Sequence, residues 1–451
     1  MRPDLLTPTP LSTKATPIRS SRLPETKTTL RKFAFRLAMI MIFIRCSLLH
    51  EMLTYVLHFD TYLLYLVGAL TILLILISGS ILRPFHFRPA YYWACFALWT
   101  ILAVPFSIWR GGSFTLVLGY CRTDFAMLFA VAAVIDTWEE CKIFLRVLAL
   151  SCTTLLVIIT FFRQIDEGGR LNLKFSTYAN SNDYPAHLLS LMPALLWFAF
   201  VTKSMFLRVA ALAALAYGLY VILAGSSRGA LIALIVGFFY FLFSASKKQR
   251  LMALGFATLI FGLALAFLSQ NAIRRLFSFS ETNASPSSEA VESQEGRTRL
   301  LKDSILYALE NPVFGLGPGT FEVAEGKAKR EWLGAHNTYT EIASECGFPA
   351  LLFVLCGIGS SYALLRRVER GLKKDVSAKE FLQATFCMQL TLVLVCSVIF
   401  FLNFAFSFHL PMVAGIATAM GYGGEDWKKR THAEESAHAS HSPAWRVVQP
   451  C

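Results

Sequence analysis

Apolar stretches of about 20 residues recur along the chain from near residue 34 to residue 422, separated by short polar segments. A stretch of this length crosses the hydrocarbon core of a bilayer as a helix, because each helical residue adds about 1.5 Å along the axis. We therefore predict an all-α integral membrane protein with about twelve transmembrane helices. The predicted spans are residues 34–57, 61–82, 90–109, 113–137, 142–163, 184–202, 206–224, 228–244, 250–269, 347–366, 382–403 and 406–422.

The polar segments between these spans differ in charge on the two sides of the predicted bundle. Alternate turns carry basic runs, such as Lys247, Lys248 and Arg250 and the stretch 366–379, whereas the opposite turns are nearly free of charge apart from the two longer segments 163–184 and 270–346. Basic loops stay on the cytoplasmic side of a membrane. Since the predicted number of spans is even, we expect both termini in the cytoplasm.

This pattern divides the chain into five parts. Residues 1–33 and 423–451 lack an apolar run and are expected to be disordered cytoplasmic tails, while 34–269 and 347–422 hold nine and three predicted helices. Between them, residues 270–346 form one long external loop, which we place in the periplasm.

The long loop has two halves of different character. Residues 278–295 are rich in Ser, Glu and Ala and are expected to be a mobile tether. Residues 297–310 place Leu301, Ile305 and Leu309 at helical spacing, which predicts a short amphipathic helix on the membrane surface. Pro312 ends that helix.

Composition agrees with a membrane protein, since 55% of the residues are apolar and only 16% are charged. The net charge of +13 does not indicate a nucleic-acid partner, because the basic residues lie in turns between spans. Most cysteines lie in or beside apolar spans, and no disulfide framework or Cys/His cluster is visible. We therefore expect neither a bound metal nor a cofactor.

A glycine-rich segment follows the predicted loop helix. Gly315, Gly317 and Gly319 lie within residues 311–321 and allow backbone conformations that are closed to other residues. Such a turn can approach a sugar or phosphate closely; the alternative is an ordinary loop rich in turn residues.

His336 is the candidate general base. It precedes a second short helix for which Asn337 is a natural N-cap. A histidine at the water-facing edge of a membrane titrates near neutrality and can accept a proton from a sugar hydroxyl. The alternative is a solvated loop histidine.

Two arginines accompany this histidine. Arg228 lies at the external start of the eighth predicted span, and Arg297 lies at the start of the loop helix. Guanidinium groups and helix N-termini both bind phosphate, so we hypothesise that the two arginines form a diphosphate cradle. The alternative is that Arg228 extends to the membrane interface and Arg297 is merely solvated.

Arg122 and Asp124 fall within the fourth predicted span, where an unpaired charge is unfavourable. They are two residues apart and so do not share a helix face. We expect separate partners for them, in a structural contact or a substrate cavity.

Together these motifs resemble the O-antigen ligase and polymerase superfamily. The residues that carry the resemblance are 227–234, Gly296-Arg297, 311–319, 335–339 and 345–349, and the resemblance is strongest over about 175–365. The segment 178–184, which contains Asn182, also resembles an Asn-containing turn of that family. Leu301 stands where the family often has Trp.

The resemblance implies a GT-C type membrane glycosyltransferase that takes a glycan from undecaprenyl diphosphate on the periplasmic face of a bacterial inner membrane. By it, Arg228 and Arg297 hold the diphosphate and His336 activates the acceptor hydroxyl. Arg299 is a second arginine close enough to replace Arg297 in this role. Arg122, Asn182 and Asn337 are further candidates for the substrate cavity.

Three classes of function follow from these observations. The first is inverting, metal-independent transfer of a glycan to a lipid or glycan acceptor, such as lipid A-core or a polysaccharide; a polymerase of the same superfamily is the close alternative. The second is a transporter or flippase of lipid-linked glycans, which would show two similar halves that the sequence lacks. The third is a structural scaffold. In each, membrane lipids surround the protein.

Overall fold

The computed structural model describes residues 25–166, 169–244, 288–329 and 332–441, with a few further positions between 245 and 287. The helices are, in chain order, α1 (Glu25–Cys46), α2 (Leu49–Leu57), α3 (Leu63–Ile77), α4 (Arg88–Ala103), α5 (Arg110–Gly119), α6 (Ala126–Ala132), α7 (Trp138–Phe162), α8 (Asp183–Val201), α9 (Met205–Ala224), α10 (Arg228–Ser244), α11 (Ser288–Glu310), α12 (Phe321–Lys329), α13 (Thr338–Leu372), α14 (Lys379–Val398) and α15 (His409–His441). Two short strands, β1 (Arg163–Ile165) and β2 (Leu171–Leu173), lie between α7 and α8.

The structure is an all-α membrane protein, as predicted, but it does not establish twelve spans. Within the described residues, seven helical segments are long and apolar enough to cross a membrane, or up to nine if each of two bent pairs is one span. The predicted span 228–244 forms an apolar helix that is shorter than these. The predicted span 250–269 lies largely outside the described residues.

The first two predicted spans, 34–57 and 61–82, are bent. α1 and α2 meet at 64°, with Leu48 between them in a left-handed conformation (φ 59°). α3 meets the 3-10 helix Ser80–His86 at 82°, through Gly79 (φ 71°). A residue with positive φ interrupts the hydrogen-bonded spiral, so the apolar pattern alone overestimated the length of these helices.

The first and last helices extend beyond the predicted tail boundaries, so both tails are shorter than expected. α1 includes residues 25–33, and Arg31 near its start pairs with Glu140 at 2.9 Å. α15 continues from the predicted tail boundary at 423 to His441, with an ion pair between Asp426 and Arg430 at 3.0 Å one helical turn apart. Good helix formers and these pairs extend the helices beyond their apolar portions.

The loop regions hold two features that differ from the predictions. β1 and β2 form an antiparallel hairpin in the short segment before α8, where no strand was expected. α11 begins at Ser288 and not near Arg297, so residues 288–295, assigned to a mobile tether, are helical. The remainder of the predicted tether, 278–287, lies outside the described residues.

Packing joins the described helices of the long loop to α13. α8 packs against α7, α9 and α14, while α13 packs along α4 and α15 and carries α11 on its side. A small separate core of Leu300, Phe321 and Ala335, with Tyr307 against it, joins α11, α12 and the segment that leads to His336. The loop therefore has a packed interior that holds its helices relative to α13.

Candidate functional site

The glycine-rich segment 311–321 closes onto a break in α13. The helix is interrupted at Gly347 (φ 80°), and the amide of Gly317 donates to the Glu345 carbonyl oxygen at 2.9 Å. A Cβ on Gly315 would lie 2.3 Å from the Glu345 carbonyl carbon. The glycines thus permit close approach to the protein's own backbone, which agrees with the interpretation as a structural turn and not with a turn that contacts a ligand.

Glu345 holds this turn through hydrogen bonds to its backbone amides. Its buried carboxylate accepts hydrogen bonds from the amides of Gly319 (2.7 Å) and Phe321 (3.0 Å) at the start of α12. A carboxylate at a helix N-terminus satisfies amides that have no partner within the helix and complements the helix dipole. The sequence motif contained Glu345, but its partners are 24 and 26 residues away in the chain and could not be read from spacing.

His336 lies directly before α13 in a strained position. Its backbone is left-handed (φ 51°), and the next residue, Asn337, is the N-cap predicted from the sequence. The Asn337 side chain accepts from the amides of Tyr339 (3.0 Å) and Thr340 (3.2 Å), so it positions the helix start and not a ligand. Left-handed non-glycine residues cluster at functional sites, where surrounding contacts hold them.

The segment 402–404 contacts the residues on both sides of His336. The hydroxyl of Thr338 donates to the Leu402 carbonyl oxygen at 2.7 Å and accepts from the Phe404 amide at 2.9 Å. Asn403 lies against Gly334: a Cβ added to Gly334 would be 1.8 Å from the side-chain amide nitrogen of Asn403. The backbone on both sides of His336 is thereby tied to the end of α14.

Arg297 acts electrostatically on His336. Burial, and after it the positive charge of Arg297, lowers the pKa of His336 to about 4. The imidazole is therefore neutral at physiological pH and has a nitrogen available to accept a proton. The same arginine also lies within electrostatic reach of the carboxylate of Asp183, the first residue of α8.

Arg299 occupies a different face of α11. It lies two residues beyond Arg297, which is about 200° around the helix axis. The arginine whose charge reaches both His336 and Asp183 is Arg297. The electrostatic effect on His336 therefore favours Arg297 over Arg299 as the candidate.

Arg228 begins α10 beside the same segment that holds His336. Gly229 approaches Phe401 so closely that a Cβ would lie 2.7 Å from the Phe401 Cβ, and Phe401 directly precedes Leu402. Ser226, two residues before the arginine, has a left-handed backbone (φ 52°) like His336. The starts of α10 and α13 thus share one packing partner, the segment 401–404.

Arg170 is a residue that the sequence analysis did not single out. It lies in the β1–β2 hairpin and donates to the Asn182 side-chain oxygen (3.1 Å) and to the Gly225 carbonyl oxygen (3.2 Å). It therefore joins the turn before α8 to the turn before α10. The sequence offered no clear signal for it, because Arg170 lies among several other charged residues in the segment 163–183.

The remaining predicted residues lie elsewhere. Arg122 and Asp124 have separate partners, as predicted: Asp124 pairs with Arg45 at 3.0 Å, and Arg122 lies over the ring of Tyr65 at 4.7 Å. Both belong to a π-helical turn, Tyr120–Asp124, that interrupts the fourth predicted span. Arg122 lines a groove between α1 and α3 and not the surroundings of His336.

Comparison with known families identifies the central part of this arrangement. The O-antigen ligase family model matches residues 212–355, a range that contains Arg228, Arg297 and His336. This part of the chain is thus similar to the O-antigen ligase family. The similarity agrees with the resemblance seen in the sequence, and Asn182 and Arg122 lie outside the matched range. The chain matches no curated protein.

The match covers the three residues that the sequence analysis selected for the reaction, Arg228, Arg297 and His336. In the structure, His336 lies within electrostatic reach of Arg297, and the start of α10, with Arg228, packs on the segment 401–404 that also contacts Thr338. The site thus brings a proton acceptor and positively charged side chains into one region of the structure.

Proposed function

We propose that the protein is an O-antigen ligase-like glycosyltransferase that moves a glycan from undecaprenyl diphosphate to an acceptor hydroxyl on lipid A-core or a polysaccharide. The reaction takes place on the periplasmic face of the bacterial inner membrane, with both termini in the cytoplasm. The observation that carries the proposal is the packing of the first residues of α10 and α13, next to Arg228 and His336, on the one segment 401–404. It joins a leaving-group cation and a base in one site.

The chemical step is a single displacement with inversion. The acceptor oxygen forms a bond to the anomeric carbon as the bond from that carbon to the diphosphate oxygen breaks. Undecaprenyl diphosphate leaves with the electron pair, and His336 takes the acceptor proton. Arg228 and Arg297 stabilise the charge that develops on the leaving diphosphate, so the reaction requires no metal.

Donor binding strengthens the base in this scheme. In the free protein the positive charge of Arg297 lowers the pKa of His336. A diphosphate on Arg297 offsets that positive charge, and the pKa of His336 therefore rises toward the operating pH. A base whose pKa lies nearer the operating pH accepts a proton more readily in the transition state.

An apolar pocket could hold the isoprenoid chain of a donor whose diphosphate lies on Arg228. It has a volume of about 380 Å³ and lies between α8, α9, α10 and α14, with Leu234 and Phe241 on α10 among its walls. Leu234 is six residues, or about 9 Å, along α10 from Arg228. A diphosphate on Arg228 would place the attached isoprenoid chain against this pocket.

The proposal is tested with purified protein, a glycan on undecaprenyl diphosphate and separate acceptors, each with and without EDTA. We expect transfer to a lipid or glycan acceptor that persists in EDTA. Transfer to lipid A-core alone would assign a ligase, and lengthening of the donor glycan would assign a polymerase. Loss of all transfer in EDTA, with recovery on adding a divalent cation, would contradict the metal-independent mechanism.

The diphosphate cradle is tested separately by binding. We expect Arg228→Gln to weaken binding of an undecaprenyl-diphosphate analogue about tenfold or more, since hydrogen bonds to charged groups contribute about 1.5–3 kcal/mol. Arg146→Gln, an exposed arginine on α7 outside the site, is the matched control. Equal affinity for wild type and Arg228→Gln would remove Arg228 from the cradle.

A further inference from the structure

A second groove in the bundle is not used by the proposed reaction. It has a volume of about 800 Å³ and lies between α1, α3 and the π-helical turn Tyr120–Asp124. Asp60, Tyr62, Tyr65 and Arg122 line one end, where α3 begins. The groove thus has a polar mouth at one end of α3.

The floor of the groove is apolar along the length of α3. Leu64, Gly68, Ile72 and Leu76 follow one another at a spacing of four residues and all line the groove. From Tyr62 to Leu76 the helix rises by about 21 Å, which exceeds the roughly 15 Å of hydrocarbon in one leaflet. Leu76 is 52% exposed in the protein, so the groove is open to the surrounding membrane. Its length and surface fit an acyl chain.

Arg122 places a positive charge at the mouth of this groove. Its guanidinium lies over the Tyr65 ring and forms no ion pair with an acidic residue in the described chain. The nearest acid in sequence, Asp124, is taken by Arg45 at 3.0 Å, and Arg45 also lies 3.6 Å from Glu51. An exposed arginine in a membrane span therefore faces a lipid groove without a protein anion to balance it.

Asp60 places a negative charge at the same mouth. Its carboxylate accepts the amide of Tyr62 at 2.9 Å and forms no ion pair among the described residues. Asp60 and Arg122 line one groove but are not paired with each other. A cation and an anion held apart in this way match a ligand that carries both charges.

We propose that this groove binds a zwitterionic ethanolamine phospholipid. The lipid phosphate contacts the Arg122 guanidinium, the ammonium group contacts the Asp60 carboxylate, and an acyl chain lies along Leu64, Ile72 and Leu76. An anionic glycerol phospholipid satisfies Arg122 but is repelled by Asp60. A choline phospholipid has no N–H with which to donate to Asp60.

The test measures lipid binding directly and does not depend on transfer activity. The delipidated full-length protein is titrated in detergent with phosphatidylethanolamine, phosphatidylglycerol and phosphatidylcholine that share the same acyl chains, and each bound lipid is counted by native mass spectrometry. We expect wild type to prefer phosphatidylethanolamine about fivefold or more over the other two. Equal binding of all three lipids, or a preference for phosphatidylglycerol, would overturn the proposal.

Two variants assign the selectivity to its residues. Arg122→Gln should lose about tenfold in affinity for all phospholipids, while Asp60→Asn should remove the preference for phosphatidylethanolamine over phosphatidylglycerol. Asp60 lies in an exposed turn, so this variant reports on the groove even if Arg122→Gln fails to fold. Arg146→Gln should bind lipids as wild type does. Wild-type selectivity in Asp60→Asn would contradict the assignment.

Discussion

Arg297 lies close enough to His336 for its positive charge, in addition to burial, to lower the pKa of the imidazole, although Arg297 belongs to α11 and His336 precedes α13. Removing that charge should raise the pKa of His336 above its value of about 4, but burial should keep it below 6.5. Because a general base acts in its neutral form, the acid limb of kcat/KM should move to higher pH in Arg297→Gln.

Arg299→Gln is the matched control for this shift. It removes an arginine from the opposite face of the same helix, so the acid limb should stay where it is in wild type. The measurement is the pH dependence of kcat/KM between about pH 3.5 and pH 8, with folding checked at each pH. A shift in Arg299→Gln and none in Arg297→Gln would exchange the roles of the two arginines.

Gly315→Ala should destabilise the loop by about 2 kcal/mol or more. Gly315 has φ 64°, and the added Cβ would lie within 2.4 Å of backbone atoms of Glu345. Gly359→Ala on α13 meets nothing within 4 Å and should leave stability unchanged or slightly increased. The apparent Tm of the purified proteins distinguishes the two, and equal values would show that the turn is not held against the helix break.

Glu345→Gln should loosen the start of α12. The amide group can accept through only one oxygen, so one of the Gly319 and Phe321 amides loses its partner, at a cost of about 1–3 kcal/mol. Glu310→Gln changes an exposed acid on the same loop and serves as control. Faster hydrogen exchange at 319–322 in Glu345→Gln alone is expected, whereas unchanged exchange would remove Glu345 as the anchor.

Arg170 should affect donor binding through its hydrogen bonds to Asn182 and Gly225. Arg170→Ala and Asn182→Ala should each weaken binding of an undecaprenyl-diphosphate analogue, and the double variant should weaken it by less than the sum, because both remove the same contact. Additive effects would show that Arg170 does not position the turn before α10 through Asn182.

The sequence alone was sufficient to predict a membrane protein and those residue roles that depend on neighbours in the chain. The apolar pattern predicted most helix positions, and Asn337 was recognised as an N-cap because that role depends on adjacent residues. The bends at Leu48 and Gly79 were not predicted, because a single left-handed residue leaves the hydropathy pattern unchanged. The early start of α11 was missed because a polar helix has the composition of a tether.

The assembly of the site depends on contacts between distant parts of the chain. The role of Glu345 and the choice between Arg297 and Arg299 both depend on which backbone segments meet, which spacing does not encode. Arg170 was missed for the same reason, since its partners lie in two other turns. Arg122, by contrast, was correctly singled out as an unusual intramembrane charge, but it belongs to a different groove.

The most direct test of the central claim is transfer by His336→Gln, with donor binding measured on the same preparation. If His336 is the base and the arginines hold the diphosphate, the variant should bind an undecaprenyl-diphosphate analogue as wild type does and lose transfer by about 100-fold or more. Intact glycan transfer by folded His336→Gln protein would contradict the account.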